Sequence, residues 1–443
     1  MACSALVTDA RAASVSVAET GPLDPRADGA MITYRAVPGE ANRLIAGLTP
    51  DGRAWRFRDA GVSIDLGANC ATTSDGAVTC SVPPPPPGHV RVVLTTLVEL
   101  GDEGDTADVA SDVHVDAGPG DDVLTMHAGR GSVALGDGAD STIADAGEWS
   151  VDGGPGPDVI ATSGSAKVGA GYAMEPGAVF VSLDGQANDG EAGEGDNVGP
   201  GVARVVGSDF DDVLDARGAG GVVELYGYAG NDVMDASPAG GFLIGGDGND
   251  LLRGGPGNDG LGGEAGDDQL FGAGGDDHLA GEAGSNLVDG GLGSDAYAIN
   301  GSGQDVVHAR DAAVDTVQCS TFARHLDVDA IDRLTDCAPL IVPARRPRVR
   351  LDRHRRLRFT VRCARQTRER CQGTVRLTDG GPHALGSTRF SIPSGRHGRI
   401  SMRLRRRPRA RSSVRAIFRT HRTRVPPSQR ETVLTLRLDS AGS

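Results

Sequence analysis

The residues best suited to chemistry in this 443-residue chain are aspartates that recur at a fixed interval. Asp250, Asp259, Asp268, Asp277 and Asp295 fall on a step of nine, with Asn286 in the one slot between them that lacks an acid. Asp232 lies two such steps before Asp250, and Gly241 takes the slot between. Two places after each comes an apolar residue: Met234, Leu252, Leu261, Leu270, Leu279, Val288 and Tyr297. With the glycines that precede the acid, the unit reads G-G-x-G-x-D-x-U-x, where U is apolar. Carboxylate and main-chain carbonyl oxygens are hard donors, the kind that Ca²⁺ gathers in groups of about six to eight. Glycine permits the positive φ of a tight turn and lets carbonyls converge. The last three residues of each unit suit a short strand with its apolar side chain inward.

Two units make one coil, so residues eighteen apart stack. One acidic row then runs along Asp232, Asp250, Asp268 and Asn286, and a second along Asp259, Asp277 and Asp295. A disordered Gly/Asp linker is the bland alternative, but it would hold no apolar residue locked to the phase. The seven units from GYAGNDVMD to GGLGSDAYA resemble the repeats of haemolysin-type (RTX-like) calcium-binding proteins of the secreted actinobacterial type. That resemblance implies an all-β fold, a parallel β-roll or β-solenoid, with several Ca²⁺ ions shared between successive coils. It is most specific across residues 101–298.

Composition agrees with a thin solenoid. Aromatics are only 4% and glycine is the commonest residue at 66, which excludes a large aromatic core. The net charge of −16 divides sharply along the chain. Residues 344–443 hold 28 Arg against 5 acids, a balance of +23, and the remainder holds 16 basic against 55 acidic residues, −39. Six of the seven cysteines form three local pairs (Cys70 with Cys80, Cys319 with Cys337, Cys363 with Cys371), and Cys3 is left over. None has CxxC spacing, which favours short disulfides in an oxidising compartment.

In chain order, residues 1–29 read as a leader, with Ala10-Arg11-Ala12 resembling the end of a cleavage site. Residues 30–100 read as a small β module closed by Cys70–Cys80, with Pro83 to Pro87 as a stiff spacer. A first β-roll segment, 101–170, carries Asp122, Asp140 and Asp158 at steps of eighteen, with Gly131 and Trp149 in the alternate slots. It therefore predicts one acidic row and one degraded row. An acidic insertion, 171–206, offers Asp184, Asn188, Asp189, Glu191, Glu194, Asp196 and Asn197, either as a further calcium loop or as a solvated loop. The roll resumes over 207–317 with Asp212, and two extra residues near Leu225-Tyr226 shift the phase before Asp232. Residues 318–339 read as a disulfide-closed cap, and 340–443 as an Arg-rich β-sandwich of six alternating strands.

The candidate metal ligands are thus Asp122, Asp140, Asp158, Asp212, Asp232, Asp250, Asp259, Asp268, Asp277 and Asp295. No nucleophile elbow, zinc-protease or phosphate-loop motif is present, and the ten histidines lack metal-ligand spacing. Adjacent carboxylates such as Asp121-Asp122 and Asp267-Asp268 follow from the repeat phase. The expectation is a secreted or surface-associated protein, structural, adhesive or interacting, whose calcium is architectural and which is not an enzyme. A calcium-stabilised extracellular enzyme or toxin, with its site in a flanking domain, is the alternative. The Arg-rich domain suits a cell-wall polyanion or another anionic polymer through bidentate contacts. A plain solvated face and docking on an acidic roll are the competing readings, and stacking aromatics for nucleic acid are few.

Overall fold

The structure is a computed structural model. It describes residues 12–24, 27–50, 54–60, 63–81, 90–300, 305–309, 311–319, 325–328, 332–335, 341–343, 348–349, 356–363, 371–378, 385–393, 396–405, 413–420 and 431–438. Every regular element among them is a β-strand, and no helix is long and apolar enough to cross a membrane. Two compact units divide the chain, Met1–Gly260 and Leu261–Ser443.

The first unit is a parallel coil. Along one face the strands Val90–Glu99, Val113–Asp116, Arg130–Ala134, Glu148–Asp152, Lys167–Gly171, Arg204–Val206, Val223–Ala229 and Gly241–Asp247 stack in parallel. Opposite them stack Arg43–Leu48, Thr106–Ala110, Val123–Met126, Ser141–Ala144, Val159–Thr162 and Asn197–Val198. After the acidic insertion the second face is rebuilt from Val179–Ser182, Val213–Asp215, Val233–Asp235 and Leu251–Gly255. Registers of eighteen put like residues on top of one another, as Val133 on Val151. The core is a set of such ladders: Val115, Val133, Val151, Ala170, Val205, Leu225 and Leu243 on one side, Val181, Leu214, Met234 and Leu252 on the other, all buried. Each large aliphatic side chain so buried contributes roughly 1.5–3 kcal/mol.

Coil length is not constant. Thr106 pairs with Val123 at a step of seventeen, Trp149 with Val168 at nineteen, and Arg204 with Glu224 at twenty. The two extra residues of the twenty-residue coil lie in the turn between Asp215 and Val223, earlier than the sequence suggests at Leu225-Tyr226. Glu224 already stands twenty residues from its partner, so the slip precedes it. That turn reaches out far enough for the Gly220 N–H to bond the Pro200 carbonyl of the insertion.

At the N-terminal end, Ala13–Asp24 pairs antiparallel with Ala27–Arg35, so part of the stretch read as a leader is a strand of this unit. Cys70 and Cys80 are cross-strand partners and are disulfide-bonded. Trp55, Phe57 and Tyr34 stack beneath them as the aromatic core of the module.

The second unit repeats the parallel pattern. Its faces are His278–Ala280, Ala296–Ile299, Thr316–Cys319 and Arg333–Thr335, and Gln269–Ala273, Leu287–Asp289, Val306–Ala309 and His325–Val328. Cys319 is disulfide-bonded, while Cys337 lies outside the described residues, as do the side chains of Cys363 and Cys371. A three-stranded sheet (Ile341–Pro343, Arg356–Cys363, His397–Arg403) and a five-stranded sheet follow. Leu357, Phe359, Val361, Val375, Leu377, Phe390, Ile400 and Phe418 fill the core between them, with Phe418 edge-on to Phe359 and Phe390.

Candidate metal centre

Each coil presents an aspartate two residues before its inward apolar side chain. Asp is short enough to reach one strand spacing, about 4.8 Å, and no further. Its Oδ1 accepts the main-chain N–H of the residue in the same slot one coil earlier. Asp105 N donates to Asp122 Oδ1 at 2.7 Å, Asp122 N to Asp140 at 2.7 Å, Asp140 N to Asp158 at 2.9 Å. The chain of bonds continues from Asp212 N to Asp232 at 2.8 Å, Asp232 N to Asp250 at 2.9 Å and Gly241 N to Asp259 at 2.6 Å. In the second unit Asp268 N donates to Asn286 at 2.8 Å, Asp277 N to Asp295 at 3.0 Å and Asp295 N to Asp315 at 2.9 Å. All ten sequence-derived candidates occupy this slot, and none is more than 4% exposed.

The second oxygen sets the chemistry. In Asp105, Asp122, Asp140, Asp158 and Asp232 the Oδ2 atom is buried and meets no hydrogen-bond donor. Leaving a buried carboxylate oxygen so placed is costly unless a cation faces it. Glycine five residues earlier makes the room at Asp158, Asp232 and Asp277, while Leu100, Ala117 and Leu135 hold that place before Asp105, Asp122 and Asp140. A Cβ on Gly227 would overlap Asp232 Oδ2 and stand 2.6 Å from the Gly245 carbonyl oxygen. On Gly272 it would overlap Asp277 Oδ2 and stand 2.6 Å from the Gly290 carbonyl. A small space bracketed by carboxylate and carbonyl oxygens is the donor set of a hard cation. Among the described residues no three His, Cys, Asp or Glu side chains converge. The cradle therefore consists of one carboxylate and main-chain carbonyls, and these residues fit Ca²⁺. When bound, the ion supplies positive charge that cancels the repulsion along the row.

Electrostatics point the same way. Burial pushes Asp122 and Asp232 up to about 7 and Asp158 up to about 8. The amide that each Oδ1 accepts pulls against this, and neighbouring carboxylates of the row push further up. Asp259 rises to about 6 and Asp315 to about 7, again by burial first. A bound cation inverts that balance.

The two sides of the coil differ. In the first unit, the slot on the other side holds Val113, Gly131, Trp149, Val168, Ala203, Val223 and Gly241 in succession. Trp149 fills its cradle outright, its indole N–H donating to the carbonyls of Ala146 and His127. Acids return to this side at Asp259, and in the second unit Asp277, Asp295, Asp315 and Asp332 form a row of their own, all buried.

The acids of the insertion are occupied otherwise. Asp189 accepts from the Ser182 N–H and hydroxyl and from the Val198 N–H. Asp196 stands in the row, accepting from Asp158 N at 2.9 Å, and its other oxygen accepts from the Tyr172 hydroxyl at 3.1 Å. Glu194 accepts from Gly156 N and Glu191 N. Asp212 accepts from Val179 N and from both the N–H and the hydroxyl of Ser208.

Asp105, Asp305, Asp315 and Asp332 share the slot but escape the nine-residue pattern. The place five before them holds Leu100, Asn300, Arg310 and Asp327 in place of glycine, and the steps to them are seventeen, nineteen or twenty. Their surviving signal is the apolar residue two places on: Ala107, Val307, Val317 and Leu334.

A family model described as the RTX calcium-binding nonapeptide repeat, four copies, matches residues 241–270 and 262–297. No curated protein matches the chain. The matched stretch is where both sides of the coil carry the acidic slot, and the same slot geometry extends back to Asp105. Residues 241–297 are RTX calcium-binding nonapeptide repeats, carried in an all-β parallel β-roll.

Proposed function

We propose that this protein is a secreted or surface-associated structural protein that calcium sets into its final form, without catalysis of its own. The observation that carries the reading is the row of buried Oδ2 atoms without donors, with a glycine-made space beside Asp158 and Asp232. An ion that binds only the folded coil shifts folding by mass action. Extracellular calcium modules bind at roughly 10⁻⁴–10⁻³ M, so the roll would stay soft in a low-calcium cytoplasm and set outside. The Cys70–Cys80 bond is consistent with an oxidising destination.

The Arg-rich sandwich supports a second part of the reading, capture of an anionic polymer. Its charge is uneven between its two sheets. On the three-stranded sheet, Arg356, Arg358, Arg399 and Arg403 point outward beside Thr360 and Ser401, and Arg356 stands directly opposite Arg403. Among the described outward positions of the five-stranded sheet, Gln372, Thr374, Ser387, Ser391 and Ile417 accompany only Arg376 and Arg389.

Titrating calcium into chelated protein, with circular dichroism and calorimetry in parallel, tests the central claim. Cooperative gain of β signal with several ions per chain supports it, and a spectrum indifferent to calcium overturns it. Elution from immobilised heparin at moderate salt tests the sandwich. Failure to bind even at low salt would leave its arginines a solvated face.

A further inference from the structure

The acidic row of the first unit is interrupted at three slots, and at each the protein brings its own hydrogen-bond donor to the place an ion would hold. At the N-terminal end the slot is Asn42, which is 1% exposed. Its side-chain nitrogen donates at 2.8 Å to the Leu100 carbonyl, the same carbonyl position that Gly245 supplies to the Asp232 cradle. It donates also to the Glu40 carbonyl at 2.8 Å and to Asp105 Oδ1 at 3.1 Å. Where the insertion leaves the coil, the Tyr172 hydroxyl donates to Asp196. Tyr172 is 3% exposed in a chain with only five tyrosines. Where the coil resumes, Ser208 donates to both oxygens of Asp212 through its N–H and hydroxyl. By contrast, Asp105, Asp122, Asp140, Asp158 and Asp232 keep Oδ2 free of any donor.

We propose that Asn42, Tyr172 and Ser208 stand in for calcium and divide the row into separate ion-bearing runs. The first run spans the donor-free carboxylates of Asp105, Asp122, Asp140 and Asp158, and the next begins at Asp232. This rests on the calcium reading above. An N–H or O–H donor and a cation satisfy the same buried oxygen, and the two exclude each other. The break in the roll is then pinned in every calcium condition, while the runs on either side depend on the ion.

Calorimetric ion counts on single Asp→Asn variants of the full chain test this. Asn keeps the Oδ1 acceptor of the coil-to-coil bond and removes only the anionic Oδ2. Asp122→Asn, Asp140→Asn and Asp232→Asn are each expected to lose one calcium per chain, and Asp196→Asn and Asp212→Asn none. Loss of one ion in Asp196→Asn or Asp212→Asn would overturn the inference. Unchanged counts in all five would instead overturn the calcium reading itself. Tyr172→Phe supplies an independent readout. Its loss of thermal stability is expected to be equal in calcium and in chelator, because the bond removed is not one an ion replaces. Recovery of that loss on adding calcium would show an ion taking the slot, against the inference.

Discussion

Two stretches of eighteen residues show how differently the same coil is held together. Residues 113–130 bury Val113, Val115, Ala117, Leu124 and Met126, with an acidic slot on one side of the coil only. Residues 262–279 bury only Leu270 and Leu279 among apolar side chains, and carry Asp268 and Asp277 on both sides. The first stretch has exchanged one row of ion cradles for a wall of aliphatic and indole packing. The second has a core of one apolar residue per unit and depends on its cradles. Hydrophobic burial and ion binding are thus alternative ways to close the same turn.

Chelation should separate them most sharply. In EDTA, amides of residues 261–335 are expected to lose protection from hydrogen exchange, while those of 106–171 retain a protected apolar side. Mass spectrometry of exchanged peptides would measure both, and uniform loss would break the comparison. The pH of the chelated protein comes next. Burial raises Asp122 to about 7 and Asp158 to about 8, against about 3.9 for an unfolded aspartate. Between those values the folded state holds more protons, so its stability is fully present in acid and is lost as pH rises through about 7–8. Thermal midpoints in EDTA should therefore fall from pH 5 to pH 8. Each titrating carboxylate contributes at most about 1.4 kcal/mol per pH unit. With calcium the trend should reverse, because protons compete with the ion.

Trp149→Ala probes the apolar side alone. Removal of a buried indole costs about 3–5 kcal/mol, and the loss should be equal in calcium and EDTA, read by denaturant melts. A loss that calcium restores would mean that the opened slot accepts an ion. Arg253→Gln is the smallest change. Arg253 bonds Asp235 across one coil at 3.2 Å on the exposed surface, and its removal should cost less than about 1 kcal/mol with no calcium dependence.

The acidic slot was legible in the sequence where glycine and aspartate coincide at a step of nine, as at Asp250 and Asp277. It was illegible at Asp315 and Asp332, where the glycines are gone and the coil runs to twenty and seventeen residues. Asp212 fits the pattern, yet Ser208 takes both its oxygens, and only coordinates reveal such a donor. In the insertion, seven oxygen-bearing side chains left a calcium loop and a solvated loop equally open, and nothing in the sequence indicated that the Tyr172 hydroxyl reaches Asp196 from outside the cluster. The six sandwich strands were plain from alternation, and the five whose side chains are described each bury one face.

Coils of seventeen to twenty residues share one ladder because the slack is taken up in turns and never between the aspartate and its apolar neighbour. The roll is therefore tolerant of grafting. A peptide inserted at 185–187 or 217–219 would lengthen a turn and leave the strand registers intact. Such sites make the coil of the first unit a scaffold on which a foreign loop can be displayed.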